Sequence, residues 1–331
     1  MIRVSRFLLT LLLIGSAAQT VSAQLVVPSD RYYMNLLFDA ERRPHFCEEL
    51  DSARGTAHTY GVDRDAFGRV TTIRRYYFGN LASRELWTIM KFRYDTLANG
   101  YIAVGRSWHG PDGLPIPIRI AADDDAVAYG EEALYDTTGQ LLMTTLLNNE
   151  GERVENVNAV TQTIYRRRPD GTRLQEWRYS NNKQYYGSDP DYWNMQFGEL
   201  DRNAWFRTYT TDRNGFVLTE QPLGIDLKPV PFPTGEMRHE YIRNECGKPI
   251  AISYTDSDGK PMADSSGIAR IEFSYDENGR LTEWASFNID AKPQGIDAMW
   301  GAARGVRVYR EFDGAIVSDK LFDAAGEEIV Q

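Results

Sequence analysis

From residue 55 to the end, apolar and polar residues alternate in short runs broken by Gly, Asn, Asp and Pro. The clearest run is 268–275, where Ala269, Ile271, Phe273 and Tyr275 share one face and Arg270, Glu272 and Ser274 the other. A period of two is that of a half-buried strand. Residues 276–279 then turn the chain, with Gly279 supplying the positive φ a tight hairpin needs. Residues 280–287 return as the partner strand, and Lys292-Pro293 ends it because proline cannot donate to a ladder. Residues 29–42 read differently. Ser29 or Asp30 can cap a helix, Tyr33, Leu36, Leu37 and Ala40 fall at helical spacing, and Pro44 stops it. The pattern predicts a short N-terminal helix there.

The strand pattern recurs. Asp226-Leu227-Lys228-Pro229, Asp258-Gly259-Lys260-Pro261 and Asp290-Ala291-Lys292-Pro293 are 32 residues apart, and so are Gly215, Gly247 and Gly279. Moving back by 32 from Phe273 gives Tyr241 and then Tyr209, which keeps one face aromatic. Earlier glycines hold the spacing more loosely (Gly68 and Gly100, Gly139 and Gly171), and the break before Gly215 points to an insertion at 185–198. A fixed period in this range signals stacked supersecondary units, each burying its apolar face on its neighbours. The expected fold is therefore mainly β. It is an array of antiparallel β-hairpin repeats of about 32 residues, forming an extended, twisted or curled sheet. Residues 24–54 would cap it, and residues 55–331 would form the repeat domain. Gly215, Gly247, Gly259, Gly279, Pro229, Pro261 and Pro293 are its expected structural turn residues.

Residues 275–281 (Tyr-Asp-Glu-Asn-Gly-Arg-Leu), echoed at 135–141 (Tyr-Asp-Thr-Thr-Gly-Gln-Leu), resemble the bacterial YD repeats of the RHS type. The Asp-Gly-Lys-Pro half is similar to hairpin repeats of exported bacterial proteins and, more distantly, to MORN-type repeats. The resemblance is sharpest over residues 209–293 and implies a β-hairpin array. The chain departs from large RHS toxins in its length, its period and its lack of a recognisable toxin segment, so a toxin-enclosing shell is not implied.

Residues 1–23 carry the marks of a secretory signal: Arg3 and Arg6, an apolar run at 7–14, and Val21-Ser22-Ala23. The apolar run is shorter than the roughly 20 residues a membrane span needs. Cleavage after Ala23 would release a periplasmic or secreted protein with no remaining span. The formal net charge is −10, with 47 acidic against 37 basic residues. That balance argues against nucleic acid and against anionic lipid, which both draw on clustered Lys and Arg. Cys47 and Cys246 are the two cysteines. Export permits a disulfide between them, although sequence does not make them neighbours.

No catalytic pattern stands out, and neither a metal nor a cofactor is expected. His45, His58, His109 and His239 form no zinc-protease or nucleophile-elbow pattern, and His239 falls where the next repeat has Ile271, a packing position. Asp123-Asp124-Asp125 reads as a solvated loop, and the Asp256–Gly259 stretch as a repeat turn, because both lack the spacing of a calcium loop. Glu176, Glu220 and Glu283 recur just after turn glycines, where solvent-facing charge is the plain explanation. Aromatics make up 12% of the chain and are the strongest functional hint. Trp177 follows a turn glycine, while Tyr186, Tyr192 and Trp193 sit in the presumed insertion. Exposed rings stack on sugars or anchor proteins. The sequence thus points to a noncatalytic binding or scaffolding surface in the bacterial envelope, with an envelope protein or a glycan as partner. A carbohydrate-binding or glycan-active protein is the alternative.

Overall fold

The computed structural model describes residues 29–53, 58–77, 79–82, 87–119, 127–154, 160–179, 206–224, 226–310 and 316–330. The expected signal segment and the insertion at 185–198 lie outside these residues, as does Asp123-Asp124-Asp125.

The first strands are β1 (Arg31–Phe38), β2 (Pro44–Leu50), β3 (Thr59–Arg64), β4 (Val70–Tyr77), β5 (Asn80–Leu81), β6 (Ile89–Thr96) and β7 (Ile102–His109). β8 (Ile118–Arg119) and β9 (Val127–Ala128) make a separate two-stranded ribbon. Hairpins follow: β10 (Gly130–Tyr135) with β11 (Leu141–Leu147), then β12 (Val160–Arg167) with β13 (Arg173–Tyr179). Next come β14 (Phe206–Thr211) with β15 (Val217–Leu223), and β16 (Arg238–Arg243) with β17 (Pro249–Thr255). The last are β18 (Arg270–Tyr275) with β19 (Leu281–Phe287), and β20 (Arg304–Tyr309) with β21 (Ile316–Phe322). Two-residue β22 (Glu328–Ile329) pairs with the end of β21. Apart from the ribbon, the strands join one antiparallel sheet of 20. The hairpins beginning at Phe206, Arg238 and Arg270 start 32 residues apart. The next starts two residues later than that spacing, after a single 3-10 turn at Asp297–Met299.

Side-chain chemistry sets each turn. In the turn after β18, Asp276 Oδ1 accepts the backbone N–H groups of Asn278 and Arg280 at 3.0 and 2.8 Å. Asp136, Asn148, Asp212, Asp256 and Asn288 repeat this two-bond arrangement. An Asx side chain thereby supplies the turn's hydrogen bonds, and the residue three places on, a glycine in all of these but the Asn288 turn, takes positive φ. Gly215, Gly247, Gly259 and Gly279 all do so, at 88°, 84°, 81° and 69°. Leu227 and Ala291 hold the place of Gly259 in neighbouring units and also adopt positive φ. The prolines do not stop pairing outright. Pro229, Pro261 and Pro293 each form a one-residue bridge to Leu223, Thr255 and Phe287, which asks nothing of the missing N–H.

The expected N-terminal helix is instead β1. A helix over residues 29–42 would be marginal alone, whereas β1 pairs with β2 along its length and with β3 through Arg31, Tyr32 and Tyr33. Tyr33, Leu36, Phe38 and Phe46 of this first hairpin pack with Val62, Val70, Ile73, Met90 and Trp108 in the main core.

The far side of the same hairpin touches turns from distant repeats. Ala40 donates its backbone N–H to the Gly215 carbonyl at 2.9 Å, and Arg43 bonds the Gly139 carbonyl. Glu41 pairs with Arg173 and accepts the Leu141 N–H at 2.6 Å. His45 lies against Phe216, with ring centroids 4.8 Å apart. Cys47 is disulfide-bonded to Cys246, their Cα atoms 5.8 Å apart. In a flat sheet, β3 and β16 would stand roughly 50 Å apart at about 4.8 Å per strand. These contacts therefore require the sheet to curl around the first hairpin.

Candidate functional site

Where the end of β2 meets the last repeats, the curled sheet leaves two adjoining open grooves. The first, about 590 Å³, is lined by Glu48 of β2 and by Ile242, Ile250, Ala251, Glu272 and Asp276, among others. The second, about 720 Å³, runs past Asp276, Glu277, Arg280, Thr282, Arg307 and Tyr309. Asp276 stands between them, held in the turn that its own carboxylate organises.

Strand alternation decides what faces the first groove. Ile242, Ala251 and Glu272 are consecutive cross-strand partners in β16, β17 and β18, so they share one face. Tyr241, Ile252 and Ile271 take the other. Ile250, the extra residue of the bulge where Ile242 pairs with Ala251 and Arg243 with Pro249, also lines it; Ile242 is 49% exposed and Ile250 38%. Around these apolar side chains the charges are paired. Arg270 Nε donates to Glu272 at 2.7 Å, and Arg280 Nε to Asp276 at 2.6 Å. The Arg280 guanidinium also lies 4.6 Å from the centre of the Tyr309 ring. Lys248 donates to Asn35 and to the Gly279 carbonyl beneath the turn. Burial lowers the Lys248 pKa, with Glu48 and Asp276 opposing that shift. Burial likewise raises that of Tyr275. Apolar side chains framed by satisfied charges suit a polar-rimmed contact surface.

The histidines are occupied elsewhere. His239 Nε2 bonds Glu236 at 2.8 Å, and its ring stacks on Phe232 with centroids 3.9 Å apart. Sequence reading placed a packing residue there but missed Glu236, a carboxylate 2% exposed where the next repeat has Ile268. Comparing the two repeats side by side would have shown it, since Glu236 and His239 replace Ile268 and Ile271 together. His109 is buried between Ser107 and the Gly113 carbonyl, and burial lowers its pKa. Among the described residues, no group of three or more His, Cys, Asp or Glu is arranged to hold a metal ion. No helix among them is long and apolar enough to cross a membrane.

Of the aromatics singled out in the sequence, Tyr186, Tyr192 and Trp193 lie outside the described residues. The backbone of Trp177 sits in β13 opposite Thr163. Trp284 packs onto Gly305, where a β-carbon would meet its indole. Sequence reading also missed Trp300. It is 70% exposed in the two-residue lengthening after Asp297–Met299 and holds φ of 56°, which is unusual for a bulky residue. Only an indexing of the repeat up to β20 would have flagged it.

No family model matches the chain, and no curated protein matches it. Among solved structures, it is similar to a chain in the crystal structure of TcdB2-TccC3-TEV at 11% identity and a TM-score of 0.20. That match covers 80% of this chain and 18% of the other. A chain in the crystal structure of TcdB2-TccC3-Cdc42 gives 13% identity and a TM-score of 0.27, covering 90% and 20%. The protein thus spans at most 20% of either chain's length. At these TM-scores the overlap says nothing of activity.

Proposed function

We propose that this is an exported, noncatalytic protein of 32-residue hairpin repeats whose curled sheet offers a binding surface to an envelope protein. The observation that carries the reading is the exposure of Ile242 and Ile250 in a groove framed by the Arg270–Glu272 ion pair and by Asp276, whose own partner Arg280 lines the adjoining groove. Burying two isoleucines and leaving paired charges at the rim is how protein interfaces combine affinity with solubility. The secretory-signal pattern at residues 1–23 supports the envelope location.

The test is capture from two envelope fractions, glycan sacculi and solubilised membrane proteins, by mature chain (residues 24–331) and by Ile242→Glu. Specific retention of one membrane protein by the native chain and its loss in Ile242→Glu is the expected result. Retention on sacculi, reversed by free sugar and indifferent to Ile242→Glu, would replace this reading with carbohydrate binding.

A further inference from the structure

Strand register and the disulfide bring one lysine of the repeats against the first hairpin. Asn35 stands opposite Cys47 in the β1–β2 ladder, Cys47 is bonded to Cys246, and Lys248 follows Cys246 by two residues. Lys248 Nζ donates to Asn35 Oδ1 and to the Gly279 carbonyl, while Asn35 Nδ2 donates to Glu48 Oε2. Asn35 Nδ2, Lys248 Nζ and Glu48 Oε2 all lie within 2.8 Å of where a β-carbon on Gly279 would stand. An amine, a primary amide and a carboxylate thus converge on one point that only glycine leaves open.

The three groups are suited to react. The neighbouring repeats have Phe216 and Arg280 at the place of Lys248, so the amine is particular to this turn. Unlike a guanidinium, an amine can lose its proton and act as a nucleophile. Lys248 is 9% exposed, Asn244 Oδ1 accepts its backbone N–H at 3.0 Å, and its Nζ lies 5.2 Å from the centre of the Tyr275 ring. Burial lowers its pKa against the pull of Glu48 and Asp276, which favours the neutral, nucleophilic form. Glu48 holds φ of 60°, a conformation that is uncommon for any residue but glycine and that clusters at functional sites.

We infer that Lys248 and Asn35 join in an intramolecular amide bond, which the protein forms on itself with Glu48 as the proton carrier. Glu48 takes a proton from the Lys248 ammonium. The freed lone pair attacks Asn35 Cγ, which is one carbonyl bond, about 1.2 Å, from the oxygen that Lys248 already touches. The Nζ–Cγ bond forms and the carbonyl π pair moves onto Oδ1. Glu48 then delivers its proton to Nδ2 and takes a second from Nζ. The Cγ–Nδ2 bond breaks, and its electron pair leaves with ammonia as the carbonyl re-forms. Ammonia recovers the proton from Glu48 and departs as ammonium, so nothing is oxidised and no co-reactant is used. The bond joins residues 213 apart in sequence and, unlike the disulfide beside it, survives reduction. Cys47–Cys246 then closes a second, shorter ring through 35–47 and 246–248, so each crosslink contributes separately.

The test is mass spectrometry of the mature chain, reduced and denatured, with a Met placed before Gln24 so that this glutamine cannot cyclise. Full conversion lowers the intact mass by about 17 Da, one ammonia per chain. Asn-Gly steps such as Asn278-Gly279 can also release ammonia on cyclising, so the proteolytic digest decides. A branched peptide joining Lys248 to Asn35 is the expected result. Glu48→Gln still accepts from the Asn35 amide but cannot relay a proton, and its digest should yield the two peptides unbranched. Unbranched peptides from the native chain overturn the proposal, whatever the grooves bind. Loss of water with Lys248 joined to Glu48 would overturn Asn35 as the partner. Branching as complete in Glu48→Gln as in the native chain would overturn the role given to Glu48.

Discussion

Gly247 packs against the ring of Phe216, so closely that a β-carbon on Gly247 would overlap the ring. Gly259, one turn later, also holds positive φ, but nothing lies within 4 Å of where its β-carbon would stand. Both are positive-φ turn glycines, at the two different turns of one repeat, and the fold brings a ring only to the first. Gly259→Ala should cost about 1 kcal/mol, the price of a left-handed alanine. Gly247→Ala should cost about 2–4 kcal/mol, because Phe216 must also move and disturb its contact with His45. Urea titration of both variants checks this, and equal midpoints would show that Phe216 yields freely.

Cys47 and Cys246 close a loop with a sequence separation of 199 and fix the first hairpin to a repeat turn. Replacing both with serine should destabilise the protein by about 2–5 kcal/mol. Amide exchange in β1 and β2 should rise together with that loss. An unchanged denaturant midpoint would mean that the noncovalent contacts at Glu41, Arg43 and His45 hold the hairpin alone.

The Tyr275 hydroxyl joins one hairpin to the one before it through Pro249. Tyr275→Phe keeps the ring and deletes the bond, for an expected loss of about 1 kcal/mol. Tyr309→Phe, acting through Leu281, should match it. The double variant should sum the two within about 0.5 kcal/mol. A Tyr275→Phe protein as stable as the native one would remove the hydroxyl from the set of inter-repeat ties.

Burial by itself would raise the Glu236 pKa, but hydrogen bonds from His239 and Thr234 outweigh it and hold the carboxyl below its ordinary 4.5. A depressed folded value means stabilisation present above about pH 4.5 and lost as pH falls through the lower folded value. Asp264, whose pKa burial raises, acts in the opposite sense. The stability difference between the native chain and Glu236→Gln should therefore shrink as pH falls below about 4.5. Thermal melts from pH 3 to 7 read it directly, and a constant difference would show that the hydrogen-bonded carboxylate is not what Glu236 contributes.

The sequence by itself determined the strands and turns of the repeats. Each depends on a few adjacent residues: alternation in 268–275, and an Asx side chain three residues before a positive-φ glycine at Gly215, Gly247 and Gly279. Such signals act within one hairpin and so survive in a linear reading. What residues 29–42 become was decided elsewhere. Their apolar spacing fits a helix, but their partners are the Gly139, Gly215 and Gly247 turns, roughly 100 to 200 residues away. Only the curled sheet brings those turns to β1 and β2, and pairing with β3 on one side and the turns on the other makes the strand the lower-energy state. The grooves and the partners of Glu236 belong to the same class. Each is made by where distant hairpins come to rest, which no local pattern encodes.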